Sequence, residues 1–214
     1  MPIAARSRSN APDETKRRVL DAAAAAFQSR GYHSTTTHEI MRDAAVTAGA
    51  MHHHFPSKKS IGLAVIRERV SLAVEQTWIE PVRLARSGAE GVRQAFAAIA
   101  NTLDRRGSVL GCPLGNLAIE LSLADPDFRR ELQDVFDSWQ RAIADKFRAD
   151  HKSGELRHGS PDELATFVVA SYSGAMAIAK ARQDSLPLKS CAKQLAALFE
   201  DHANRRPTKV KPSK

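Results

Sequence analysis

Cysteine is nearly absent from this sequence: Cys112 and Cys191 are the only two, far apart and outside any Cys-x-x-Cys pair. That count excludes a disulfide framework and a zinc-finger ligand set. Strand-like alternation of apolar and polar residues is also missing at any useful length, and no internal repeat occurs, so an all-α chain of about nine helices is expected. No uninterrupted apolar run approaches the roughly 18 residues that span a bilayer. Residues 1–10 are followed by the polar stretch 13–18 and not by an apolar segment, so no secretory leader is read. A cytoplasmic protein with no membrane partner is the expectation. Nothing in the pattern calls for a catalytic residue, a resident metal or a cofactor, and an enzyme is not expected.

What the sequence does have is positive charge, unevenly placed. The net charge is +8 over 214 residues, with 26% charged and 43% hydrophobic residues, as in an ordinary globular protein. Residues 1–60 carry nine basic and five acidic side chains, and residues 203–214 carry five basic and none acidic. The stretch between them is close to neutral. A basic end joined to a neutral body suggests one segment that meets a polyanion and a larger part with another task. The ends, a flexible basic tail at 1–12 and a disordered basic tail at 203–214, are expected to flank the folded part of the chain.

The stretch 36–58 carries the sharpest local signals. Thr36 followed three residues later by Glu39 is a capping box, which predicts a helix from about Thr37 to Ala44. Thr47 can cap a second helix that ends before Pro56. Ile40, Ala44, Met51 and Phe55 then share a core side, with Thr47, Ala48, His52 and His53 facing outward. Two short helices joined in this way form a helix-turn-helix pattern. A preceding helix from Asp13 to about Ser29, stopped by Gly31, offers Val19, Leu20, Ala23, Ala24 and Phe27 as a packing face.

Downstream, Ser57 predicts the start of a connector helix over 58–79, apolar on more than one face. Helices are expected from Ala89 to Asp104, from Pro126 through a stripe that includes Phe128, Trp139 and Phe147, and from Pro161. The Pro161 helix carries Leu164, Val168, Ser171, Ala175, Ile178 and Arg182 in a heptad-like line. The last helix repeats the spacing with Leu188, Cys191, Leu195, Leu198 and His202. Two such helices per subunit can pair across a two-fold axis as a four-helix bundle, so these residues are the candidate dimer interface.

With these residues in place, the chain resembles the TetR family of bacterial transcriptional regulators. Gly31-Tyr32, Thr35-Thr36, Ile40, Ala44, Val46-Thr47-Ala48-Gly49, His52-His53-His54-Phe55 and Ser57-Lys58 match its pattern in order. Ala45 stands where the family usually has glycine, and His52 where tyrosine is usual. Residues 111–118 are similar to a segment of one subgroup's regulatory domain. The resemblance implies a helix-turn-helix DNA-binding domain at 13–57 followed by a larger helical ligand-binding and dimerisation domain at 58–202. It implies DNA contacts from Thr36, Thr47, Ala48, His52, His53 and Lys58, with residues 47–55 in the major groove. Binding of a homodimer to an inverted-repeat operator and release by a small, largely apolar effector follow as expectations. Phe96, Ile99, Phe136, Trp139, Tyr172 and Met176 are candidates to line the effector cavity, with Asn116, Glu120 and Gln140 as its polar contacts.

Two rival readings use other residues. His52, His53 and His54 suggest a metal sensor, but consecutive helical residues diverge by about 100°, so three imidazoles cannot converge on one ion. Cys112, among glycines at a helix start, is the candidate for a redox-sensing alternative.

Overall fold

The computed structural model describes residues 11–204, and these are helical throughout, with no strand among them. The expected tails fall largely outside that range: 1–10 and 205–214 are not described, while residues 11 and 12 open the first helix and 203 and 204 close the last. Nine helices are present among the described residues: α1 (Ala11–Arg30), α2 (Thr37–Ala44), α3 (Ala48–His54), α4 (58–84), α5 (Gly88–Arg106), α6 (Pro113–Leu121), α7 (Pro126–Ser153), α8 (Pro161–Arg182) and α9 (Leu186–Asn204). The starts read from sequence have local causes. The side chains of Thr36, Thr47, Ser57, Ser87 and Ser160 each accept a backbone N–H of the helix they precede.

Contacts divide the described residues into two units, one of 11–73 with 112–135 and one of 74–111 with 136–204. This differs from the linear division at residue 57, because α6 and the first turns of α7 pack with the N-terminal helices. In the first unit, Val19, Leu20 and Phe27 of α1, Ile40 of α2, Met51 of α3 and Ile61 of α4 are buried together with Leu114, Leu121, Phe128 and Leu132. Gly62 sits in α4 because a Cβ there would lie 2.8 Å from both Tyr32 and Phe128 ring atoms. Tyr32 fills that space, 5.2 Å from the Phe27 ring centroid and 5.1 Å from that of Phe128.

α4 runs longer than expected, to Leu84, and it is not uniform. Ile66–Val70 and Glu75–Ile79 are π-helical. The second stretch ends just before Pro81, whose ring nitrogen cannot continue an α-helical ladder. Such widened turns inside a helix are concentrated at functional positions.

In the second unit, Trp78 of α4, Phe96 of α5, Trp139 of α7 and Tyr172 of α8 meet as one cluster of rings. α8 departs from the sequence expectation on membrane spans. No continuous apolar run marks it, yet its alanines and valines give an 18-residue window a mean hydropathy of 1.4, so by length and composition it could cross a bilayer. Leu164, Val168, Tyr172 and Met176 are buried in the chain, as expected of a core helix. The stripe expected to pair two subunits is therefore largely occupied: Leu164, Val168 and Ala175 of α8, with Leu188 and Leu195 of α9, are buried within the single chain. Ser171, Cys191, Leu198 and His202 are half-buried, and only Ile178 and Arg182 are exposed. The exposed face of α8 is instead Phe167, Ala170, Gly174, Ala177, Ile178 and Ala181. Both faces of this helix are apolar or small, so periodicity alone selected the side that the chain itself covers.

Candidate DNA-binding surface

Two threonines start the short helices. Thr36 Oγ1 accepts the Glu39 N–H at 3.2 Å, and the Glu39 carboxylate accepts the Thr36 N–H at 2.7 Å and its hydroxyl at 2.8 Å. These bonds from the Thr36 backbone and then its hydroxyl hold the Glu39 carboxyl below the usual carboxylate range. Thr47 Oγ1 accepts the Ala50 N–H at 3.3 Å. Between the helices the chain turns at Ala45, with φ 51° and ψ 51°, so the alanine that replaces the usual glycine does adopt the left-handed conformation. Arg18 of α1 braces this turn: its guanidinium donates to the carbonyl of Ala45 at 2.6 Å and to that of Ala44.

The side chains then sort by burial. Ile40, Ala44, Met51 and Phe55 are buried, while Thr36, Thr47, Ala48, His52 and His53 are exposed. The imidazoles of His53 and His54 lie 5.2 Å apart in a T-shaped arrangement, with no common focus for an ion. Among the described residues no group of three or more His, Cys, Asp or Glu side chains is arranged to hold a metal. Lys58, at the first position of α4, is half-buried. Its ammonium stands 4.4 Å from the Tyr32 ring centroid and donates to the His33 carbonyl at 3.3 Å. Burial lowers its pKa, against Glu120 and Glu39, which raise it. The cation is thus held in place beside the helix pair.

The remaining expected residues fall in several places. Glu120 is committed within the first unit: its carboxylate accepts the Tyr32 N–H at 2.8 Å and the His33 N–H at 2.6 Å, clamping α6 to the turn after α1. Asn116 lies on the same helix. Phe96, Phe136, Trp139 and Tyr172 belong to the ring cluster of the second unit, where Met176 is buried and Ile99 half-buried. Gln140 lines an open polar groove with Asp137, Arg141, Asp145, Arg148, Asp162 and Thr166. Cys112 is buried at the start of α6, where its Sγ accepts the Gly115 N–H at 3.5 Å. Sequence reasoning passed over Trp78 and Arg18. Trp78 was hidden because α4 is apolar on several sides and its π-helical turns shift the phase of any periodic reading. Arg18 acts across 27 residues and leaves no local signal.

A threonine-capped helix pair, joined by a tight turn and backed by a buried core, with one face of the second helix open and a fixed ammonium beside it, defines a helix-turn-helix DNA-binding protein. Comparison with known proteins narrows the class. The profile described as "Bacterial regulatory proteins, tetR family" matches residues 19–65, and that described as "Transcriptional regulator LmrA/YxaF-like, C-terminal domain" matches residues 88–194. The HTH-type transcriptional repressor DhaR of Mycobacterium sp. (strain GP1) is 31% identical over 170 residues, 76% of this chain and 80% of its own. The transcriptional regulator AcuR of Cereibacter sphaeroides is 30% identical, over 79% of this chain and 78% of its own. Among solved structures, the regulatory protein TetR from Rhodobacter sphaeroides superposes with a TM-score of 0.78 at 28% identity, covering 86% of this chain and 97% of that one. The chain belongs to the TetR family of bacterial transcriptional regulators. These relatives are transcriptional regulators, not enzymes.

Proposed function

We propose that this regulator is a ligand-responsive repressor that binds an inverted-repeat operator as a homodimer and is released by a small, largely apolar effector. The observation that carries the reading is the exposed row formed by Thr47, which caps α3, and Ala48, His52 and His53 on it, backed by buried Met51 and Phe55. Threonine and histidine can hydrogen-bond base edges, and Ala48 can touch a thymine methyl. Lys58 and the Thr36 end of α2 supply backbone contacts that orient the pair. Repression, as opposed to activation, is supported by the relative DhaR, which is named a repressor.

Dimerisation is supported by the exposed α8 face. Phe167 and Ile178 are 52% and 50% exposed, and small residues lie between them at helical spacing. Such a face lets a symmetry-related helix approach closely and bury both large side chains. Two recognition helices related by a two-fold axis match two half-sites of opposite direction. Effector control runs through α4, which contributes residues to both units. An effector that binds the DNA-free form tenfold better weakens operator affinity by about 1.4 kcal/mol per site.

Gel shift with the DNA flanking the protein's own gene tests the reading. Wild-type protein shifts an inverted-repeat fragment, and Thr47→Ala and His53→Ala weaken that shift at specific base pairs. Equal binding of the wild type and both variants to flanking and unrelated DNA overturns it.

A further inference from the structure

We infer that the indole N–H groups of Trp78 and Trp139 are the ligand-reading donors of the effector site. The effector they select is a small, neutral, mostly apolar molecule that carries a hydrogen-bond acceptor. This rests on the ligand-responsive reading above and adds the chemistry of what is bound.

Trp78 is 2% exposed and Trp139 is fully buried, with ring centroids 5.1 Å apart. Neither Nε1–H has a protein acceptor. An indole N–H can only donate, so no alternative pairing is open to it. Buried donors in folded proteins are almost always paired, and two orphans in one ring cluster mark a place built to receive an acceptor from outside.

The rest of the cluster sets the remaining chemistry. Phe96 and Tyr172 meet Trp78 at 88° and 71°, and Tyr172 meets Trp139 at 77°, so ring edges already cover ring faces. The unused valence is at the N–H edges, which favours an acceptor over a cation seated on a face. No lysine or arginine is buried among the described residues, and Asp150, the buried carboxylate, already accepts the Gly88 N–H at 2.6 Å. A ligand carboxylate would therefore enter without a counter-charge, which burial strongly disfavours. Carbonyl, ether and similar neutral acceptors remain. The position of Trp78 supplies the link to control, because it lies in the π-helical stretch Glu75–Ile79 of α4. A ligand that displaces its ring acts on the connector backbone at a turn with an irregular hydrogen-bond ladder.

The chain has two tryptophans in all, so indole-labelled full-length protein gives two side-chain N–H resonances, both from this site. Three probes separate the chemistries: acetophenone, which has the acceptor; isopropylbenzene, of the same shape without it; and benzyltrimethylammonium, a cation. The expected result is that acetophenone moves the indole N–H resonances downfield and binds at least tenfold more tightly than either other probe. Trp78→Phe and Trp139→Phe each then reduce that preference. If a variant fails to fold, the wild-type spectra decide. Equal or tighter binding of isopropylbenzene or benzyltrimethylammonium, or indole resonances unmoved at the solubility limit of acetophenone, overturns the inference. Downfield shifts with operator affinity unchanged leave the donor assignment standing and instead overturn effector control.

Discussion

Ala45 holds a backbone conformation that costs an L-residue with a Cβ roughly 1–2 kcal/mol, and Arg18 is what makes the turn tolerable. By tying the carbonyls of Ala44 and Ala45 to α1, its guanidinium satisfies groups that the end of α2 leaves open. Ala45→Gly should raise stability by about 0.5–1 kcal/mol, since glycine relieves the strain and gives back part of it as chain entropy in the unfolded state. Urea unfolding measures it, and a loss of stability contradicts the account. A second single-residue effect concerns Asp150. Burial pushes its carboxyl above the usual range, against the Gly88 N–H and then Lys146, which lower it, with Glu155 and His151 as smaller opposing influences. A carboxyl whose folded pKa is raised binds its proton more tightly in the native state. Its contribution to stability therefore falls as pH rises from the ordinary aspartate value through the raised one. Asp150→Asn keeps an acceptor for Gly88 and removes the titration. The stability of wild type relative to the variant should therefore fall as pH rises above the ordinary aspartate range, near about 4, as followed by urea titration of both proteins at each pH.

Among the elements, α8 presents an exposed side of apolar and small residues, with Phe167 and Ile178 open. Phe167→Glu places a charge at the centre of that face. Sedimentation should then show a shift from dimer to monomer, with operator affinity falling at least tenfold and helical content unchanged. A dimer that survives the substitution would place the pairing surface elsewhere. α8 also shows where sequence reading stops. The starts of the two helices of the DNA-binding pair were legible, because Thr36 with Glu39, and Thr47 before Ala48, are local capping signals that no distant contact needs to complete. Which face of α8 is free, and whether Trp78 points into a core, depend on what the rest of the chain brings alongside. A helix with alanine, valine and leucine on both sides does not encode that choice in its period. Glu120 shows the same limit: a carboxylate among apolar residues reads as a polar contact in a cavity, and its partners are 87 and 88 residues away.

For the molecule as a whole, charge is the property that reports on function. If the proposed dimer neutralises about eight phosphates, affinity should fall with a slope near −7 in log K against log salt. Lys58→Ala should reduce that slope by about two, one contact per subunit, while leaving base preference unchanged, as read by filter binding across a salt series. A change in base preference would mean that Lys58 reads sequence. The carboxylate of Glu120 bears on a different property, the tolerance of the chain to insertions and deletions. It reaches the amides of Tyr32 and His33 from one position on α6, and one residue added or removed between Cys112 and Glu120 would turn it by about 100° around that helix. Both amides would then lose their acceptor at once. α6 can therefore vary in composition among descendants of this sequence, but its length upstream of Glu120 is fixed by a turn that lies some 80 residues earlier in the chain.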